Sequence, residues 1–192
     1  MLIRRKSVFI NRYQVALCIL LAFCLTSCST YYFPHVYKGS ERSIYMPTWQ
    51  NRTNKLGLNS QIYQEVSRWF KKAESINLTK TRENADLILA GEIISIDLPS
   101  IAWDSNSSAK DINIKLGVRY VLKDIKSGKI LWEKPREIWT EGYSASTINA
   151  AAEDEALDKI VNDLAESIYM GTLKRLRNLE REKEKEMPAV QQ

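Results

Sequence analysis

The chain contains few of the residues that usually carry enzyme chemistry. Histidine occurs once among its 192 residues, at His35, and glycine only seven times. His35 has no cysteine, serine or carboxylate at the spacing of a catalytic pair, so we interpret it as an ordinary surface residue. The sequence contains no glycine-rich phosphate loop, no nucleophile elbow and no cluster of metal-ligating residues. It therefore predicts a protein without enzymatic activity, cofactor or bound metal.

Cysteine is also scarce, and all three cysteines lie near the N-terminus, at Cys18, Cys24 and Cys28. Residues 1–27 carry basic but no acidic side chains, and they include an apolar run over residues 15–25. That run is shorter than the roughly 20 residues that cross a bilayer. A basic start, a short apolar run and small residues before a cleavage point are typical of a secretory signal peptide.

The end of this segment, LTSC at residues 25–28, resembles the lipobox of bacterial lipoproteins. The resemblance implies that residues 1–27 are removed, that the thiol of Cys28 is diacylated and that the new amine is acylated. Two or more acyl chains hold a protein firmly on a membrane. The residue after the lipobox cysteine is Ser29. An aspartate at this position would favour retention in the inner membrane, so the serine favours transfer to the outer membrane. The alternative interpretation is an ordinary signal peptide, or a short membrane anchor, with incidental cysteines.

Removal of residues 1–27 changes the charge and the thiol content of the chain. Four of the 28 basic residues lie in that segment, so 24 remain against 23 acidic ones. The pI near 9.0 belongs mostly to the precursor and does not indicate nucleic acid as a partner. Once Cys28 carries lipid, no thiol remains for a disulfide or a metal site.

Apolar periodicity predicts strands and helices in the rest of the chain. Residues 43–53 are β-branched and aromatic and predict a strand that ends in a loop, because Pro47 favours a strand end or a sheet edge. Helical spacing predicts a helix over residues 60–73, and Asn59 or Ser60 suits its N-cap. Two further strands are predicted, at residues 76–79 and 85–98.

The clearest strand covers residues 111–124, where apolar and polar side chains alternate. The predicted buried face consists of Ile112, Ile114, Leu116, Val118, Tyr120 and Leu122. A turn leads to residues 130–143, the predicted hairpin partner. From Thr147 onward, helical spacing predicts a long helix that Gly171 bends or interrupts. The charged segment 180–192 predicts a disordered tail.

These elements indicate one domain, residues 43–179, which follows a lipidated N-terminus and tether at residues 28–42. Two amphipathic helices and a half-polar hairpin are typical of an α+β protein. The predicted architecture is a two-layer sandwich, in which a mostly antiparallel four-stranded sheet packs against two helices.

The polar face of the hairpin is the candidate binding surface. Lys110, Lys115 and Arg119 lie along or beside one strand. Tryptophans lie near them in the sequence: Trp103, Trp132 and Trp139. Because basic side chains bind phosphates and aromatic rings contact acyl chains, this face suits an anionic amphiphile. The alternative is a solvated strand face whose tryptophans belong to the core.

Two sequence patterns point to a family. Pro47, Asn51 and Thr53 form P-x-x-x-N-x-T, and residues 85–93 form AD-x-x-L-x-G-x-I. Together with the order of elements and the aromatic YYF at residues 31–33, these patterns resemble the LptE family of lipopolysaccharide-assembly lipoproteins. The likeness spans residues 31–179, although threonine precedes YYF where the family often has glycine.

The resemblance implies a two-helix, four-stranded sandwich with a non-enzymatic role at the outer membrane. Such a protein would plug the large β-barrel LptD, help it to assemble and bind lipopolysaccharide on its way to the surface. No sharp family motif for the lipopolysaccharide contacts maps onto this chain, so Lys110, Lys115 and Arg119 are selected on charge and position alone. The alternative is another envelope lipoprotein of similar fold that regulates a cell-wall synthase or a secretion complex. The identity of the partner distinguishes the two.

Overall fold

The computed structural model describes residue 37 and residues 39–98, 112–143 and 150–186. Among these residues it contains two α-helices, a short 3-10 turn at Arg82–Asn84 and six strands. The strands are β1 (Arg42–Tyr45), β2 (Gln50–Asn51), β3 (Ile76–Thr79), β4 (Leu87–Asp97), β5 (Ile112–Asp124) and β6 (Ile130–Tyr143). The helices are α1 (Leu58–Phe70) and α2 (Ala150–Glu186).

The strands form one sheet in the order β3-β1-β4-β5-β6, with β2 beside β4. The α+β class and the two helices are confirmed, but the sheet is mixed and has six strands. β4, β5 and β6 are antiparallel, whereas β1 runs parallel to both β3 and β4. The parallel pairs follow from the chain path, because α1 carries the chain back before β3 begins, and a crossover of this kind brings strands together in parallel.

The core lies between the sheet and the two helices. The predicted alternation in β5 is confirmed, because Ile114, Leu116, Val118, Tyr120 and Leu122 are at most 3% exposed. Both helices bury one apolar face against this layer. Burial of each such side chain stabilises the fold by about 1.5–3 kcal/mol. Helix α1 buries Leu58, Ile62, Val66 and Phe70, and α2 buries Leu157, Ile160, Val161, Leu164 and Ile168.

Helix α1 begins earlier than its periodicity predicts. Its N-cap is Gly57, with a φ of 81° and no side-chain cap hydrogen bond, so neither Asn59 nor Ser60 caps the helix. Glycine adopts this left-handed conformation without a steric penalty, which lets the chain turn sharply into the helix. The helix ends at Phe70, and the side chain of Lys72 then lies over the Trp69 ring, 3.4 Å from its centroid.

Helix α2 continues through Gly171, so the predicted interruption there is wrong. The reason is packing: the ring of Trp132 lies on this glycine, and a Cβ atom would overlap it. A small residue at this point brings the helix close to β6. Among the residues that the model describes, no helix is both long enough and apolar enough to cross a membrane.

Helix α2 also extends to Glu186, into the segment that the sequence predicts to be a disordered tail. Glu180 explains the extension, because its Oε1 accepts hydrogen bonds from Tyr37 Oη at 2.6 Å and from Ser40 N at 2.7 Å. We call Tyr37, Ser40 and Glu180 the N-terminal clasp. It fixes the start of the described domain to the last turns of α2. Tyr37 itself is 1% exposed and belongs to the core.

Candidate binding face of the sheet

The face of the sheet that points away from the helices carries the predicted basic residues. Lys115 and Arg119 are both exposed on β5 and project from the same face, about 13 Å apart along the strand at roughly 3.3 Å per residue. In the sheet register, Lys115 stands between Asp97 and Thr140. Two other residues selected from the sequence, Cys28 and Lys110, lie outside the described residues.

The tryptophans belong elsewhere. Trp132 and Trp139 pack against the core cluster, and Trp132 lies over Gly171 of α2. They therefore lie on the helix side of the sheet and do not line the basic face. This agrees with the alternative interpretation, in which the tryptophans belong to the core. Trp103 lies outside the described part of the chain.

Arg119 is one member of an ion cluster that sequence reasoning did not find. The carboxylate of Glu92 pairs with Arg119 Nη2 through one oxygen and with Arg52 Nε through the other. The Glu92 side chain is only 8% exposed, whereas those of Arg52 and Arg119 are 62% and 54% exposed. Because a buried carboxylate needs such partners, Glu92 fixes both guanidinium groups. The cluster keeps a net charge of +1.

A signal for this cluster exists in the sequence. Glu92 is the one charged residue within the apolar run of residues 87–96. When one face of a strand is buried, a charged side chain in it must either point to the solvated face or pair with an opposite charge. Strand pairing supplies the partner, because the register places Glu92 opposite Arg119 and beside Gln50 of β2. Only the fold shows that Arg52, directly after β2, reaches the same carboxylate.

An open groove of about 430 Å³ adjoins Arg119. Its apolar wall consists of Ala90, Val121, Ile130 and Pro135. The rest of the lining includes two basic residues, Arg119 and Lys134, and two acidic ones, Glu92 and Glu133. An apolar wall beside a fixed guanidinium suits a molecule that has both an anionic group and hydrocarbon. The groove is therefore the candidate binding site of the described domain.

An aromatic stack under the sheet supports the groove. Tyr120 stacks on Trp49 with centroids 5.9 Å apart, and it meets Trp132 edge-on at 5.2 Å. The hydroxyl of Tyr120 donates a hydrogen bond to Glu137. Burial, and then this hydrogen bond, raises the pKa of Tyr120. The phenol therefore stays protonated and has a structural role, not that of a base.

Both family patterns have structural roles around this site. In the first, Asn51 Oδ1 accepts hydrogen bonds from Thr53 N at 2.9 Å and Thr53 Oγ1 at 2.7 Å, while Asn51 Nδ2 donates to Lys55 O at 2.8 Å. These bonds close the turn that contains Arg52. The pattern therefore positions an arginine of the ion cluster through the backbone of its turn.

In the second pattern, Asp86 joins the start of β4 to β1. Its Oδ2 accepts hydrogen bonds from Ser43 N at 3.0 Å and from Ser43 Oγ at 2.8 Å. Gly91 leaves room for the ring of Trp49, which a Cβ atom would overlap. The patterned residues thus specify the fold beneath the groove. Across the part of the chain that the model describes, no group of three acidic, histidine or cysteine side chains is arranged to hold a metal ion.

A family model decides the identity of this fold. LptE, described as lipopolysaccharide-assembly, matches residues 41–170. The chain belongs to the LptE family. This result confirms the family that the sequence patterns predict. At the level of the family, the chain is a lipopolysaccharide-assembly lipoprotein of a non-enzymatic family associated with the outer membrane.

A solved structure shares the fold of this LptE-family chain. A crystal structure of a DUF330 protein from Xanthomonas campestris has a TM-score of 0.53 and 11% identity, and the match covers 76% of this chain and 98% of that one. At this identity the likeness shows the fold alone. Rare lipoprotein B from Shewanella oneidensis has a TM-score of 0.47 and 10% identity, over 72% of this chain and 98% of that one. No curated protein sequence matches the chain.

Proposed function

We propose that this protein is an outer-membrane lipoprotein that plugs the LptD β-barrel, helps it to assemble and takes part in delivering lipopolysaccharide to the cell surface. Lipid on Cys28 would anchor it, with the domain on the periplasmic side or inside the barrel lumen. The observation that carries the proposal is the family match over residues 41–170.

The surface of the domain supports a plug role. A plug inside a hydrated barrel lumen needs a compact core and a polar exterior. Among the described residues, the large apolar side chains with high exposure are Leu56, Ile130 and Ile138. The buried apolar side chains of the sheet and the helices pack into one core cluster.

Depletion of the protein in its native cell tests the proposal. We expect surface lipopolysaccharide to fall and the barrel to accumulate in an incorrectly oxidised form, because the barrel would lack its plug during assembly. Expression of the wild-type chain from a second locus should restore both. A depleted strain with normal surface lipopolysaccharide and a correctly oxidised barrel would contradict the proposal. Recovery of a cell-wall synthase or a secretion pore as the partner would support the alternative role.

We also propose that Arg119 contacts lipopolysaccharide phosphates at the groove. Lys115, farther along the same face of β5, and Lys110, beyond the described residues, would contact phosphates next to the groove. Arg119 is suited to this role because Glu92 holds its guanidinium while leaving it 54% exposed. Guanidinium groups bind phosphate oxygens through charge-assisted hydrogen bonds. The apolar wall of the groove would meet the adjoining acyl chains.

The double variant Lys115→Ala/Arg119→Ala tests this contact. Each exposed charge contributes about 0.5–1 kcal/mol, so affinity for purified lipopolysaccharide should fall about fivefold to thirtyfold. The control, Lys71→Ala/Lys80→Ala, removes two exposed lysines away from the groove and should leave the affinity within twofold. Equal losses in the two double variants would refute a site at this face.

A further inference from the structure

Leu56 is the most exposed large apolar side chain among the described residues. It is 92% exposed, compared with 55% for Ile138 and 51% for Ile130. A single exposed leucine is common on protein surfaces. Its significance therefore depends on how it is held, where it lies and which charges surround it.

The turn that carries Leu56 is fixed on both sides, and we call residues 52–57 the Leu56 turn. On one side, Asn51 Nδ2 donates a hydrogen bond to Lys55 O at 2.8 Å. On the other side, Gly57 caps α1 in a left-handed conformation. The ammonium of Lys55 contacts Glu153 at 3.1 Å and Asp154 at 3.3 Å, so the turn is joined to α2. A preorganised side chain loses little conformational freedom when it binds.

The Leu56 turn lies at the end of the domain remote from the N-terminal clasp. It contacts α2 at Glu153, whereas the clasp contacts α2 at Glu180. At 1.5 Å per residue, these two points are about 40 Å apart along the helix. The Leu56 turn thus lies far along α2 from the clasp, where the described domain begins.

The charges around the Leu56 turn favour a protein partner over a lipid surface. The turn itself contains two basic residues, but Arg52 is paired with Glu92, and Lys55 is paired with Glu153 and Asp154. Two further acidic residues, Glu155 and Asp158, are exposed on the adjacent first turns of α2. Acidic side chains are repelled by the negative potential of an anionic membrane surface. An apolar side chain surrounded by polar groups instead has the arrangement of a protein interface, in which an anchor is buried and a charged rim stays hydrated.

We propose that Leu56 inserts into an apolar pocket of the partner β-barrel, at the end of the plug remote from the N-terminal clasp. This inference rests on the proposed function, since it names the surface through which the plug meets LptD. The fixed turn presents the leucine, and burial of its side chain in the partner supplies affinity.

Replacement of Leu56 tests the inference in the lipidated full-length protein. The affinity-tagged wild type, Leu56→Asp and Leu56→Ala are purified from outer membranes in mild detergent, and the barrel recovered per plug is measured. Burial of one leucine corresponds to about a tenfold to hundredfold change in affinity, so Leu56→Asp should lose at least ten times more barrel than the control. The control is Ile138→Asp, which makes the same kind of change at a 55% exposed site on the sheet. Thermal melting confirms that every variant is folded.

The outcomes separate this inference from the proposed function. If the wild type recovers the barrel and Leu56→Asp recovers as much, the inference is wrong and the plug role stands. An equal loss of recovered barrel in Leu56→Asp and Ile138→Asp would also overturn it, because Leu56 would then contribute no more than any other exposed apolar residue. If the wild type recovers no barrel, the proposed function fails first. A photoreactive residue at position 56 gives an independent answer: we expect a crosslink to the barrel, and a crosslink to lipid alone would contradict the proposal.

Discussion

Asp86 offers the sharpest test of how the family pattern stabilises the fold. Its carboxylate accepts two hydrogen bonds from Ser43, at 3.0 Å and 2.8 Å, and so joins β4 to β1. Lys126 lies 3.7 Å away but is 84% exposed, so it contributes little. Asp86→Asn keeps the shape and removes the charge. Because hydrogen bonds to a charged group contribute about 1.5–3 kcal/mol and Asp86 is partly solvated, we expect a loss of about 1–2 kcal/mol in the free energy of unfolding at pH 7.

The pH dependence gives this prediction a definite sign. The backbone N–H of Ser43, followed by its hydroxyl, lowers the pKa of Asp86 from the usual 3.8. A carboxyl group with a lowered folded-state pKa stabilises the fold above its unfolded-state pKa, and this contribution is lost as the pH falls through the folded-state value. The difference between wild type and Asp86→Asn should therefore shrink below about pH 4.

Urea unfolding of the purified chain at pH 7 and pH 3 measures both effects. The exposed Glu74→Gln serves as the control for loss of one carboxylate, and it should stay within about 0.5 kcal/mol of wild type at pH 7. If Asp86→Asn is as stable as wild type at pH 7, the hydrogen bonds do not carry the stability assigned to them. A difference that widens in acid would also refute the reasoning.

Three further predictions concern close packing and the N-terminal clasp. Gly91→Ala should destabilise the fold by about 1–3 kcal/mol, since its Cβ overlaps the ring of Trp49, which is 3% exposed. The shift in urea midpoint measures this. Gly171→Val should lower the thermal midpoint, because the helix can no longer approach β6 as closely. An unchanged midpoint would show that the ring moves aside. Burial raises the pKa of Glu180, but the hydrogen bonds of the clasp have the larger combined effect and lower its pKa overall. Glu180→Gln should therefore weaken the clasp. Amide hydrogen exchange in the last turns of α2 should become about fivefold to thirtyfold faster at neutral pH. Exchange at the wild-type rate would show that the clasp does not hold these turns.

Sequence periodicity predicts the elements whose burial follows a simple repeat. Strand β5 shows a period of two because one face meets the core and the other meets solvent, and α1 shows a helical repeat for the same reason. The direction of β1 cannot be predicted from its periodicity, because a strand buries the same side chains whether it pairs in parallel or antiparallel. The continuation of α2 through Gly171 also depends on one ring from β6, far away in the sequence.

The candidate site was only partly predictable for a similar reason. Alternation on β5 identifies Arg119 and Lys115 as exposed, and the structure places them on one face. The pairing of Glu92 with Arg52 and Arg119 depends on strand register and on a turn closed by Asn51. These contacts join segments that are far apart in the sequence, and hydrophobic periodicity gives no information about such contacts. The extension of α2 past residue 179 likewise depends on the clasp with Tyr37.

The central claim is that this LptE-family protein functions as the plug of a β-barrel, and co-purification tests it most directly. The tagged, lipidated wild-type protein is extracted from outer membranes in mild detergent, and the material that co-purifies is identified and quantified by mass spectrometry. We expect a barrel of the LptD type in an equimolar amount. A preparation that contains a cell-wall synthase or a secretion pore in place of that barrel would contradict the claim.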